Sequence, residues 1–258
     1  MKLLLETSYI NSVYLNRTVR FDITAPVNTS RLNDSELLLI QDGQELDNMG
    51  FSSILRRHDI ASGRFICVGI HAGIDRIQEY GVSGNPDYLQ RGSKAGLYTQ
   101  FLLHELVPMV SRITGATFMA KHVLGFSLGG LMAVDIALEH PKEFKTAGAF
   151  SGSFWWRSRD LKDGYSDSND RIIHQKVKNL IYNPNQRFFF QAGQQDETAD
   201  RNKNGIIDSI DDTLDLMAAM KSVGFKDEQL TYLELADGSH DVRTWSRVLP
   251  EYLNWLTS

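Results

Sequence analysis

Apolar positions along the chain follow two rhythms, and the rhythms take turns. "SVYLNRTVRFDITAP" (residues 12–26) alternates apolar and polar side chains, as a half-buried strand does, and stops at Pro26. "SELLLIQDG" (35–43) and "RFICVGIHAG" (64–73) are unbroken apolar runs closed by turn residues, the pattern of central strands covered on both faces. "KHVLGFS" (121–127), "KTAGAFSGSFWW" (145–156) and "RFFFQAGQQD" (187–196) predict further strands, and "QLTYLELADGSH" (229–240) a strand followed by a loop. Between them, "GLYTQFLLHELVPMVSRI" (96–113), "LGGLMAVDIALEH" (128–140), "DDTLDLMAAMKSVGF" (211–225) and "TWSRVLPEYLNWL" (244–256) carry helical spacing. Such alternation predicts an α/β protein with a mostly parallel central sheet and helices on both faces. Ligands of open sheets of this kind bind beyond the carboxyl ends of the strands. The informative residues are therefore the polar ones that follow each strand.

Composition narrows the classes. The 258 residues are 42% hydrophobic and 23% charged, with no repeat and no low-complexity linker, so one domain over 1–258 is expected. A net charge of −5 gives no electrostatic case for nucleic acid or an anionic membrane as the main partner; a small molecule or carbohydrate is the expected one. Oligomeric state is left open by the sequence. The single cysteine, Cys67, has apolar neighbours and no partner for an internal disulfide. Glu6 cuts the N-terminal apolar run short of a secretory signal, and no run approaches a membrane span; a cytoplasmic protein is expected.

The chemistry begins at Gly125-Phe126-Ser127-Leu128-Gly129. This is the G-x-S-x-G pattern, set between an apolar strand and a helix. A turn this tight strains the serine and leaves no room for side chains at the flanking positions. The helix that starts after Ser127 aims free N–H groups at a developing oxyanion. A plain tight turn is the alternative.

A serine hydroxyl needs a base, and histidine is the usual one. His104 lies within a helix, His140 at a helix end, His58 and His122 ahead of strands, and His174 in a polar stretch; His71 follows a strand and could line a cleft. His240 follows the last strand on a loop of small residues and is the candidate base. The acid should lie after a strand between Ser127 and His240. Asp196 is the first choice, Glu197 the second and Asp200 the third, while Asp237 is too close in sequence to His240. Backbone N–H groups of Leu128 and of Gly43 or Gln44, which follow an early strand, are the candidate oxyanion donors. Arg76 and the aromatic cluster Phe154, Trp155 and Trp156 also follow strands. An Arg76–Glu79 ion pair weighs equally with substrate binding for Arg76, and core packing is expected for two of the three aromatics.

"LLLIQDGQ", the R-x-x-E-Y of Arg76, Glu79 and Tyr80, "YTQFLLHELVPMV", "GFSLGG", "SGSFWW" and "GSHDVRTWSRVLPEYLNWL" together resemble the "putative esterase" (esterase D-like) family of α/β-hydrolases. That family includes ferric-enterobactin, feruloyl and acetyl-xylan esterases and S-formylglutathione hydrolases. The similarity runs from about Val13 to the C-terminus. The resemblance implies a serine carboxylic-ester hydrolase with Ser127, His240 and Asp196 (or Glu197) as triad and no cofactor needed for catalysis. "SGSFWW" is closest to the enterobactin-esterase branch, where a glutamate often stands in the acid loop, and this keeps Glu197 in view. An acyltransferase with the same triad is the alternative, and a calcium-dependent binding protein without catalysis is another.

A second motif lies in the acid loop. Counting from Asp200 as position one, Asn202, Asn204, Gly205, Ile206, Asp208 and Asp211 fall at three, five, six, seven, nine and twelve. That is the calcium-loop pattern, with the Ile206 carbonyl as the seventh-position ligand and Asp in place of Glu at twelve. The expected role is structural. A polar loop whose Asp211 or Asp212 caps the next helix is the alternative.

Overall fold

The computed structural model describes residues 3–26, 35–57 and 65–258. Eight strands form one sheet: β1 (Leu3–Ser12), β2 (Arg17–Pro26), β3 (Ser35–Gln41), β4 (Phe65–Ile70), β5 (Phe118–Phe126), β6 (Phe144–Phe150), β7 (Arg187–Gln195) and β8 (Leu230–Ser239). Their order is β1-β2-β4-β3-β5-β6-β7-β8. β1–β2 and β2–β4 pair antiparallel, and every pair from β4 to β8 is parallel. The mostly parallel sheet read from the sequence is present.

Alternation along the central strands supplies a core on each face. Leu37 and Leu39 of β3, with Val123 of β5, pack with the helix Leu128–Glu139 on one side. Leu38 and Ile40, with Leu124 and Phe126, pack with the closing helix Val242–Thr257 on the other. That closing helix presents Trp245, Val248, Leu249, Tyr252, Leu253 and Leu256 inward, the spacing of one helical face. The helix Leu128–Glu139 is buried from Leu128 through Leu138, as expected of an element covered on all sides. Cys67 is buried and free, and burial pushes its thiol up to about 12, so it is chemically inert.

Three expectations about elements are corrected. Residues 12–26 are not one strand: β1 ends at Ser12, the chain turns through Asn16 at φ 51°, and β2 begins at Arg17. An apolar–polar rhythm persists across such a hairpin, so periodicity alone hides the turn. The helix expected over 96–113 is interrupted by a π-helical turn, Leu102–Leu106, just before Pro108. Proline has no N–H to donate, and the wider turn absorbs the break in the ladder. The small residues of "ADGS", expected as loop, extend β8 to Ser239. Among the described residues no helix is long and apolar enough to cross a membrane.

Candidate active site

Ser127 sits between β5 and the helix Leu128–Glu139 with φ 55° and ψ −121°, a conformation that non-glycine residues rarely adopt. Such strain costs about 1–3 kcal/mol and persists only where surrounding bonds enforce it. Here the Ser127 N–H donates to the Phe150 carbonyl at 2.9 Å, and the Ser127 carbonyl accepts from Gly130, Leu131 and Ser153. A Cβ on Gly125 would lie 2.0 Å from the Gly129 carbonyl oxygen, so the tight bend requires glycine there. Leu128 opens the helix, so its N–H has no intrahelical acceptor. Ser127 Oγ is half-buried and lies 3.4 Å from Ser153 Oγ.

Asp42 and Gly43 close in from the end of β3. A Cβ on Gly129 would stand 2.8 Å from Asp42 Oδ2, so the elbow and the β3 loop touch through a glycine. Asp42, at φ 57°, caps a 3₁₀ turn over Gly43–Glu45. The N–H groups of Gly43 and Gln44 lie in that turn's first positions, ahead of its first internal bond. The Gln44 side chain accepts the Ala72 N–H at 3.0 Å. Asp42 also holds Arg76 at two points, Nε to Oδ1 at 2.6 Å and Nη2 to Oδ2 at 2.7 Å, and Arg76 lies over the Tyr80 ring at 5.0 Å. The Arg76–Glu79 pair weighed from the sequence does not form: Glu79 is engaged bidentately by Arg17 at 2.6 Å. The two partners of Arg76 and Glu79 lie 34 and 62 residues away, beyond any local pattern.

His240 follows β8 at the same edge. Its ring meets Trp245 edge-on at 5.4 Å, and Trp245 stacks at 5.3 Å on Phe126, the residue before Ser127. Burial lowers the His240 pKa; the charge of Asp196 opposes that and the charge of Arg76 adds to it. Among the described residues the imidazole makes no hydrogen bond to Ser127. Asp196 is the carboxylate beside it. Its Oδ2 accepts the Gly193 N–H at 3.1 Å, and its Oδ1 is buried with no donor at hydrogen-bond geometry. Burial raises the Asp196 pKa, while Gly193, the Ser151 hydroxyl and the His240 charge favour the ionised form. Glu197 lies otherwise: burial raises its pKa, the Ser209 backbone opposes that, and the charges of Asp208, Asp212 and Asp196 add to it. Asp200 accepts the N–H groups of Asn204 and Gly205, and Asp237 pairs with Arg247.

Three of the other histidines have polar partners. His71 pairs with Asp22 at 2.5 Å, His122 with Glu36 and Thr146, and His174 bonds the Asp212 carbonyl inside the helix Ile172–Lys178. His58 lies outside the described residues. Phe154 and Trp156 are buried core, and Trp155 is the partly exposed member of the three. Sequence reading missed Ser151, Ser153 and Trp245 as members of the site. The two serines stand in plain view in "FSGSF", but nothing in the sequence says that the strand end turns back over Ser127.

The calcium-like loop bends at Gly205, φ 87°, at its sixth position. Asn202 and Asn204 both donate to Asp211, while Asp208 turns away to the Arg201 backbone and guanidinium. Asp200, Asn202, Asn204 and Asp211 thus converge and Asp208 does not. Among the described residues no three His, Cys, Asp or Glu side chains are grouped to hold a metal ion. The donor set fits a calcium ion only in part.

A parallel sheet with a strained serine on the turn out of β5 defines the α/β-hydrolase fold. The chain belongs to the esterase family described as "Putative esterase", whose model matches residues 12–256. Similar solved structures include enterochelin esterase from Shigella flexneri, 18% identical with a TM-score of 0.73, covering 97% of this chain and 57% of that one. A ferulic acid esterase is 17% identical with a TM-score of 0.70, covering 100% and 99%. Siderophore hydrolase EstB from Aspergillus nidulans is 17% identical with a TM-score of 0.69, covering 96% and 93%. The chain thus spans under three-fifths of the enterochelin esterase. No curated protein sequence matches significantly.

Proposed function

We propose that the protein is a serine carboxylic-ester hydrolase. Ser127 Oγ attacks the ester carbonyl while His240 takes its proton, and Asp196 stabilises the imidazolium that forms. The N–H groups of Leu128 and of Gly43 or Gln44 receive the oxyanion. The tetrahedral adduct expels the alcohol, which leaves with the proton from His240. Water, deprotonated by the same imidazole, then attacks the acyl-serine and releases the acid. The ring of His240 closes on Ser127 as substrate binds, as catalytic hydrogen bonds often tighten only then.

The observation that carries this is the backbone of Ser127, held at φ 55° by four hydrogen bonds and bounded by a glycine that admits no side chain. A structural turn has no need of a strained serine where glycine would serve. Purified protein should hydrolyse p-nitrophenyl acetate, and Ser127→Ala should lower kcat by about a thousandfold or more. Equal rates for the two proteins would remove the assignment. Adding an acceptor alcohol and analysing products separates hydrolysis from acyl transfer. Solved neighbours named for enterobactin, ferulic acid and siderophores support feruloyl and siderophore esters as the first substrate panel, to which acylated sugars are added. Calcium in the loop over residues 200–211 is proposed as a structural ion that stiffens the segment following Asp196, with no part in the chemistry.

A further inference from the structure

A cavity of about 350 Å³ lies beside the candidate active site, lined among others by Tyr88, Arg91, Trp155, Arg157, Tyr165 and Glu197. Two of its walls continue segments of the site itself. Trp155 is two residues beyond Ser153, whose Oγ is 3.4 Å from Ser127 Oγ, and Glu197 directly follows Asp196. Two residues of chain span at most about 7 Å, so an ester held at Ser127 can extend into this space. The volume is at the small end of the range for small-molecule clefts.

The charges around the cavity are unevenly satisfied. Arg91 is bound to Asp87, and Arg201 to Asp167, Asp208 and Asp212. Asp208 is thereby spent, and burial disfavours the charge on Glu197. Arg157 has no carboxylate partner among the described residues, and its Nε is buried without an acceptor. Its guanidinium lies 5.1 Å from the Tyr88 ring centroid and 5.8 Å from that of Trp155. Rings covering a cation remove water from it and return only part of the lost solvation. A half-buried guanidinium that lines a cavity and has no carboxylate partner is most cheaply neutralised by a planar oxyanion.

Building on the esterase assignment, we propose that this cavity is a subsite for an ester that carries a second, ionised carboxylate on a planar conjugated frame. The carboxylate meets Arg157, and the frame lies against Trp155 and Tyr165. The cleaved bond sits at Ser127, and the charged group stays unreacted.

The test measures binding apart from turnover. With Ser127→Ala, so that esters stay intact, calorimetry compares phenyl acetate with 4-carboxyphenyl acetate, and methyl cinnamate with methyl 4-carboxycinnamate. The first pair puts the charge on the alcohol side, the second on the acyl side. In at least one pair the charged member should bind tenfold or more tightly than the neutral one, and that ratio should shrink as salt rises. Adding Arg157→Gln should abolish the ratio, and Arg157→Lys should retain part of it. Because each ratio is internal to one protein, a general loss of affinity cancels. No preference in either pair, or a preference unaffected by Arg157→Gln, would overturn the subsite. Hydrolysis of neutral phenyl acetate by the unaltered enzyme, measured alongside, tests the esterase assignment separately.

Discussion

Trp245 donates its indole N–H to the hydroxyl of Ser151 across 3.0 Å, joining the closing helix to the residue after β6. Ser151 is itself held at φ 48°, and it is buried. With its oxygen accepting from the indole, the hydroxyl has one proton left to offer, and Asp196 is the carboxylate whose ionised form it supports. Removing the hydroxyl is expected to raise the Asp196 pKa further and to weaken its support for the imidazolium.

Ser151→Ala is therefore expected to lower kcat by about tenfold with little change in KM, since the hydroxyl acts through Asp196 and not on the substrate. Trp245→Phe, which removes the N–H and keeps most of the ring, should give a smaller effect of the same kind. Steady-state kinetics on p-nitrophenyl acetate reads both. A change confined to KM would mean that Ser151 contacts the ester instead.

Arg76 gives a prediction in pH. Its charge lowers the His240 pKa, so Arg76→Gln should raise it and move the acid limb of kcat/KM to higher pH. The variant loses activity near pH 6 relative to pH 8. Asp42 is left buried without its cation, and the fold should weaken by about 2 kcal/mol, less than for a sealed pair because Arg76 keeps a third of its side chain in water. The double variant Arg76→Gln, Asp42→Asn should recover part of that stability. A pH profile that does not move would separate Arg76 from the histidine.

These couplings mark where sequence reading ends. The strands from β3 onward and the elbow at Ser127 were legible, because buried strands are continuous apolar runs and the elbow needs glycine at fixed spacing. The family resemblance was legible for the same reason. Partners were not. Arg76 could be read only against Glu79, three residues on in a local pattern, whereas the sheet brings Asp42 to it from another strand. Likewise the choice between Asp196 and Glu197 turns on which way two adjacent carboxylates face, a matter decided by the bend after β7.

The loop over residues 200–211 tests the calcium proposal without any assay of activity. Millimolar calcium should raise the melting temperature by a few degrees over protein treated with chelator, the size expected when ligand exceeds its dissociation constant by tenfold or more. Asp200→Asn should remove the response. Magnesium should do less, because a flexible loop of carboxylates, amides and a carbonyl suits the larger ion. A melting temperature indifferent to calcium would leave Asp200 and Asp211 as the hydrogen-bonding frame of an ordinary polar loop.

Asp135 lies inside the helix that follows Ser127, fully buried, with Oδ1 on Lys176 at 2.5 Å and Oδ2 accepting the Ser83 N–H at 2.8 Å. Burial raises its pKa to about 6, against an ordinary 3.8, and the lysine and the Ser83 N–H only partly offset this. The folded state therefore holds the proton more tightly than the unfolded chain. Its contribution to stability is complete below pH 3.8 and is lost as pH rises through 6. Other carboxylates titrate in the same range, so the informative quantity is the stability of the native protein minus that of Asp135→Asn, from urea unfolding at each pH. That difference should fall by roughly 3 kcal/mol between pH 4 and pH 7. A difference that stays flat would mean that Lys176 holds Asp135 ionised throughout, with the helix behind the nucleophile carrying a permanent ion pair.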